Sequence, residues 1–297
     1  MNKTIRANLL LLLAAAIWGL AFVAQVKGSG SLAPFSFNGA RMLLSFITLI
    51  PFILMRGKKT SGEAKKDIRQ EAKAGLICGA LLFLGATFQQ LGIYLGSGAG
   101  KAGFLTTLYI VLVPVLGLFF RKKVRWIVWA AVAVSAVGTY LLCFPQGSTT
   151  WEFQPSDIAL LMCALSYSGQ ILAVDHFVEK VDAVRLSWLQ FLVAGILSFI
   201  AMLLTEHPTG ADFMSALLPL MYAGVLSGAV GFTLQTIGQR DTDPAIASLI
   251  MCLESVFAAL SGFLLLGERM SGRELIGCVL MFGAVLLAQM PERKARR

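Results

Sequence analysis

Apolar residues run through this chain in long blocks separated by short polar stretches. Ten blocks stand out, at roughly 8–26, 33–55, 74–95, 102–120, 126–144, 155–174, 185–204, 214–237, 244–266 and 273–290. A helix needs about 20 apolar residues to span a bilayer, whereas strands of a membrane barrel run to about 10 with alternating polarity. The pattern therefore predicts an all-α polytopic membrane protein with ten transmembrane helices. The longest connection is Arg56–Lys73, and none is large enough for a soluble domain. The first block follows Lys3 and Arg6, as in a signal peptide. It continues through Trp18 and Phe22 without a polar cleavage region, so it reads as a retained helix.

Composition agrees. Charged residues make up 14% of the chain and hydrophobic ones 57%, with a mean hydropathy of +0.76. Soluble domains are typically about 25% charged, so much of this surface is built for lipid. The net charge of +9 is carried between the blocks, which argues for membrane orientation and against a nucleic-acid partner. With the N-terminus placed in the cytoplasm, only Lys27, Lys101, Arg269 and Arg273 fall outside, and Arg41 lies within a block. Every other Lys and Arg is cytoplasmic, as the positive-inside rule requires. This predicts cytoplasmic N- and C-termini and an even number of spans.

The chain also matches itself. Sliding it by 145 residues aligns Gly79 with Gly224, Gln90 with Gln235, Ala102 with Ala247, Leu108 with Leu253, Gly117 with Gly262 and Gly138 with Gly283. The offset maps blocks three to five onto eight to ten, giving five helices per half. Because five is odd, the halves enter the membrane from opposite sides. The prediction is two inverted five-helix repeats, 1–148 and 149–297, an architecture that carriers use for alternating access.

Several short patterns carry a resemblance. They are Ala15-Ala16-Ile17-Trp18-Gly19, Gly100-Lys101-Ala102-Gly103-Phe104-Leu105-Thr106, Leu108-Tyr109-Ile110-Val111-Leu112-Val113-Pro114, Leu253-Glu254-Ser255-Val256-Phe257-Ala258-Ala259 and Leu265-Leu266-Gly267-Glu268-Arg269. In this order and spacing the chain resembles the EamA-type proteins of the drug/metabolite transporter superfamily over nearly its whole length. The resemblance implies two five-helix units, a central cavity, a location in the cell (plasma or inner) membrane and carriage of metabolites such as amino acids.

Candidate residues follow from polarity inside apolar blocks. Glu254 lies about ten residues into block nine, and a carboxylate at that depth costs several kcal/mol unless paired, hydrated or protonated. It suits an amine-bearing substrate or proton coupling, or a structural hydrogen bond to a neighbouring helix. The 145-residue offset places Tyr109 opposite it. Gln90 and Gln235 are an equivalent pair, with Gln89 on a different face of the same helix; a buried amide otherwise serves as helix–helix glue. Trp18, Tyr167 and Gln170 stand on the first helices of the two halves and suit stacking or hydrogen bonding to a metabolite. Gln190 and Asn38 are weaker candidates. Arg41, near the outer end of block two, could snorkel, attract an anionic substrate or form a salt bridge. Glu268 reads as a surface ion pair or gate contact with Arg269. Gly224, Gly228 and Gly231 allow close helix approach, and Pro114 is expected to kink block four.

Other chemistry is not supported. Gly98–Gly103 satisfies G-x-G-x-x-G, but a transmembrane block precedes it instead of a strand, and the P-loop pattern fails at Leu95 and Ala102. Transport is therefore expected to run on gradients, without a cofactor. Cys78, Cys143, Cys163, Cys252 and Cys278 lie in apolar runs without a CxxC pair, and His176 and His207 have no partners for a metal site. The expected partners are a small-molecule substrate and the lipid bilayer, in a monomer or homodimer. An intramembrane enzyme acting on a lipid-linked substrate and a non-transporting membrane sensor are the alternatives. A polar cavity between the halves would favour the carrier over the sensor.

Overall fold

The computed structural model describes residues 3–59, 68–97, 99–143, 153–266 and 271–290. Glu268, Arg269, Gly98 and the centre of the Arg56–Lys73 loop lie outside the described residues. Among those described there is no β-strand. Lipid offers no partners to a backbone N–H or C=O, so a spanning segment must satisfy them within itself, and the helix does so.

The elements in order are α1 (Lys3–Ser29), α2 (Pro34–Lys59), α3 (Ile68–Tyr94), α4 (Ala99–Thr107), α5 (Tyr109–Phe119), α6 (Trp126–Cys143), α7 (Pro155–Val178), α8 (Ala183–Thr205), α9 (Gly210–Ser215) and α10 (Leu217–Met221). A π-helix, Tyr222–Phe232, follows, then α11 (Thr233–Gln239), α12 (Pro244–Met251), α13 (Glu254–Leu266) and α14 (Gly272–Ala288). Among the described residues, eight stretches are long and apolar enough to cross a membrane, and Trp126–Leu142 is a shorter apolar helix. The tenth block becomes α14, of 17 residues. Large apolar side chains such as Leu54, Phe119, Trp126, Leu204, Leu218, Val279 and Leu286 point outward. In water such a surface would aggregate; in a bilayer it is the solvated face.

Helix starts follow local chemistry. Asp182 Oδ1 accepts from the N–H groups of Val184 and Arg185 at the head of α8. Asp243 accepts from Ala245 N, with Pro244 at the first position of α12. Ser271 and Glu274 cap α14 reciprocally. Each satisfies donors that the first turn leaves free.

In the interior, α3 lies against α7 and α8, α2 against α8 and the π-helix, α6 against α14, and α1 against α13, α11 and the π-helix. One apolar core joins α1, α5, α6, α12 and α14, and a second joins α2, α3, α8 and the π-helix around Phe191, Leu82 and Met42. Polar side chains tie the two ends. Asn8 donates to Gln289 Oε1 at 3.0 Å and Arg125 donates to the carbonyls of Met290 and Ala288, so the first turns of α1 and the end of α14 meet on one face. Elsewhere Arg185 Nη1 donates to both carboxylate oxygens of Glu71, and Glu206 accepts from the backbone of Phe35 and Ser36 at the head of α2.

Two helices are interrupted at equivalent places. Block four breaks at Leu108 and block nine at Cys252-Leu253, 145 residues later. At both breaks the backbone tightens to i→i−3 bonds, Val111 N to Leu108 O and Ser255 N to Cys252 O. Side chains take up carbonyls of the preceding turn: Thr107 bonds Gly103 O and Phe104 O, and Cys252 Sγ bonds Leu249 O. The expected kink at Pro114 is not where the discontinuity falls, because α5 runs through Pro114 to Phe119. The break in block nine has no proline at all, so proline is not what the two breaks share.

Candidate functional site

The interrupted helices deliver their polar residues to one place. Tyr109 is the first residue of α5 and Glu254 the first of α13, and Tyr109 Oη donates to Glu254 Oε1 at 3.4 Å. Around this pair lies a cavity of about 50 Å³ lined by Trp18, Ala21, Phe22, Gln25, Arg41, Gln89, Thr106, Tyr109, Tyr167, Gln170, Ile171, Ser227, Phe232, Gln235, Met251 and Glu254. Pockets that enclose drug-sized ligands run to about 300–1,000 Å³, so this one has room for a few waters. A metabolite enters only if the helices part.

Each wall has a reason to be where it is. Trp18 donates Nε1–H to the carbonyl of Ser227 at 3.1 Å, and its ring lies 4.8 Å from that of Phe232. With its N–H engaged, it presents an aromatic face. The acceptor belongs to the π-helix, and such helices are frequent at functional sites. Gly85 seats the Tyr167 ring: a Cβ there would come within 2.7 Å of it. Gly19 lets α1 press onto the first turn of α13, where a Cβ would lie 2.8 Å from the carbonyl of Glu254 itself.

Three amides form a chain through the wall. Gln235 donates to Gln170 at 3.2 Å, and Gln170 donates to Gln190 at 3.1 Å. Glu254 is 95% buried by the measure of its 5% exposure, and among the described residues no Lys, Arg or His pairs with it. Its neighbour across the cavity, Arg41, is also 5% exposed.

Of the residues singled out in the sequence, Trp18, Gln89, Tyr109, Tyr167, Gln170, Gln235 and Glu254 line this cavity. Gln90 does not. It donates to Ser29 Oγ at 2.6 Å and to the carbonyl of Gln25 at 3.3 Å, while Gln89, turned by the helical rotation to another face, reaches the cavity. Asn38 donates to the carbonyl of Ala86. Sequence reasoning left out Gln25, Thr106, Ser227, Phe232 and Met251; the last four are ordinary side chains for apolar helices, whereas the amide of Gln25, at the end of block one, was a signal that could have found it. Arg41, expected near the outer end of block two, lines the cavity as well, where the packing of α2 puts it.

Two outer cavities flank the central one. The first, about 360 Å³, is lined by Ser29, Ser36, Tyr94, Glu206, His207 and Asp212 among others. The second, about 270 Å³, is lined by Lys122, Asp175, Glu179, Gln239, Arg240 and Asp243 among others. In the second, Lys122 is paired with Asp175.

Comparison with known proteins agrees with this architecture. A solved structure matches at a TM-score of 0.75 over 95% of this chain and 96% of its own, at 19% identity, which speaks to the fold. An uncharacterized transporter of Archaeoglobus fulgidus is 29% identical over 97% of this chain and 87% of its own length. The uncharacterized inner membrane transporter YedA of Escherichia coli K12 is 24% identical over 91% and 87%. An S-adenosylmethionine uptake transporter of Rickettsia felis is 23% identical over 86% and 82%. The relatives are named as transporters, not enzymes. The EamA-like transporter family matches residues 5–144 and again 154–290, so nearly the whole chain is accounted for, and it belongs to that family of multi-pass membrane transporters.

Proposed function

We propose that this transporter is a secondary carrier that exports small amine-bearing metabolites, amino acids among them, by alternating access between two inverted five-helix units, 1–148 and 149–297. Its termini are placed in the cytoplasm. The observation that carries the reading is Glu254: a carboxylate buried at a helix break, lining a cavity, with a tyrosine as partner and no cation paired to it. A charge there calls for a counter-charge, and a cargo amine or a proton supplies it. The two can then exchange as the cavity opens to either side.

Other features support the same reading. The equivalent breaks at Leu108 and Leu253 fit an inverted repeat with its site at the midplane. The meeting of Asn8 with Gln289 fits an even number of crossings. Gln90, which joins Gln25 of the central cavity to Ser29 of the outer one, acts as a plug on that side, and Gln239 does the same on the other by bonding the carbonyl of Ile171. A second reading, uptake, is favoured by the relatives named as S-adenosylmethionine uptake transporters.

A thermal-shift screen of metabolites on the purified protein identifies cargo, because a ligand that binds the folded state stabilises it. Flux of the best metabolite into and out of proteoliposomes then gives direction. Flux should saturate and fall at least about tenfold in Glu254→Gln, the loss of one charged hydrogen bond to cargo. Wild-type flux in Glu254→Gln for every metabolite would remove Glu254 from the mechanism.

A further inference from the structure

The central cavity holds a second buried charge that the amine-binding role of Glu254 does not use. Arg41 is 95% buried by its 5% exposure, and it lies within a membrane-spanning helix. A guanidinium there is costly, stays charged, and offers five N–H donors in a planar fork. Its partners are few. Its Cζ stands 5.7 Å from the centre of the Phe37 ring, and it shares the cavity wall with Tyr167. Its Nε has no hydrogen-bond partner. No carboxylate pairs with it among the described residues; Glu254 lines the same cavity yet does not reach it. Tyr167 lines the same cavity as both.

The Phe37 ring offsets part of that charge, but it offers no acceptor to the guanidinium N–H groups. Here a cation and an anion share one cavity and are held apart. The missing partner for the guanidinium fork is a carboxylate or phosphate, which it engages with two parallel bonds.

We infer that Arg41 is the anion-recognition residue of the site, and that the cargo is a compact molecule carrying an anionic group for Arg41 and an amine for Glu254. This rests on the carrier reading and adds a requirement to it. A cargo with the amine alone would leave Arg41 uncompensated, and a cargo with the anion alone would leave Glu254 so.

The test uses the full chain in proteoliposomes and four probes: L-leucine, 3-methylbutylamine, 4-methylpentanoate and O-phosphoethanolamine. The first three share one aliphatic body, and the fourth replaces carboxylate by phosphate. Wild-type protein should move leucine or O-phosphoethanolamine at least about tenfold better than either singly charged probe, as expected for one bidentate charged contact. Which of the two it prefers identifies the anion. In Arg41→Gln the KM for the preferred probe should rise at least about tenfold and its advantage over 3-methylbutylamine should shrink to near unity. Arg41→Lys, which keeps the charge without the fork, should restore part of that advantage and controls for misfolding. Wild-type protein that moves 3-methylbutylamine as well as leucine and O-phosphoethanolamine overturns the inference and leaves the carrier reading standing. So does Arg41→Gln if it lowers the amine and the preferred probe equally. No saturable wild-type flux of any probe overturns the inference too, and the carrier reading falls with it only if the metabolite screen is also empty.

Discussion

Tyr109 and Glu254 are 145 residues apart, each opens the second half of an interrupted helix, and the hydroxyl of one donates to the carboxyl of the other at 3.4 Å. The bond is long for an O–H donor, whose usual distance to oxygen is about 2.7–2.8 Å. It orients the carboxyl without consuming it. Tyr109→Phe should therefore raise the KM of the carried metabolite by a factor of about three to ten, the range of a hydrogen bond worth about 1 kcal/mol. Glu254→Gln should do more. Equal losses in the two variants, measured as flux in proteoliposomes, would mean that the tyrosine does more than orient.

The amide chain Gln235–Gln170–Gln190 predicts a difference in stability. Gln170→Leu strands the donor of Gln235 and the acceptor of Gln190 in a buried wall. Each stranded group costs about 1–3 kcal/mol. Gln89→Leu, on the same cavity but outside that chain, should cost less. Thermal unfolding in detergent compares them, and the reverse order would show that the chain contributes little.

Gly19 predicts a steric effect. A Cβ at this position would stand 2.7 Å from the amide N of Ala258 and 2.8 Å from the carbonyl O of Glu254, both backbone atoms that cannot swing aside. Gly19→Val should destabilise by about 1–3 kcal/mol, as overpacking does, and shift Glu254 with the first turn of α13. A melting temperature equal to the wild type's would refute the close approach.

In the Arg185–Glu71 pair one nitrogen, Nη1, reaches both carboxylate oxygens, at 2.7 and 2.9 Å, but the side chains remain partly exposed. Solvent screening limits such pairs to about 0.2–1 kcal/mol. A double-mutant cycle of Arg185→Ala and Glu71→Ala should return a coupling in that range that shrinks with added salt. A coupling several times larger would show that the pair behaves as buried.

Asp212 predicts a local pH effect. It accepts from Thr209 N and Thr209 Oγ1 at the head of α9, which holds its carboxyl below the usual aspartate range. A carboxyl lowered on folding adds stability above its unfolded pKa and loses it as pH falls through the folded value. The α9 turn should thus persist through the ordinary aspartate titration and loosen only at more acid pH. Amide chemical shifts of Thr209 and Asp212 across an acid titration read this, and a midpoint at or above the usual aspartate value would contradict it.

The sequence by itself determined that the chain lives in a bilayer as apolar helices, because the length and polarity of a spanning segment follow directly from the thickness of the hydrocarbon. It also marked Glu254 as out of place and, through the 145-residue offset, chose Tyr109 as its partner. Depth along a helix, however, is not rotation around it. Gln89 and Gln90 are neighbours of the same chemistry, and only the packing of α3 against its neighbours turned one to the cavity and the other to Ser29. Only tertiary structure put Arg41 on the same cavity wall as Tyr167, and moved the helix break from Pro114 to Leu108. Periodicity measures what a segment must bury, whereas the close approach of whole helices decides which of its polar groups end up sharing one enclosed space.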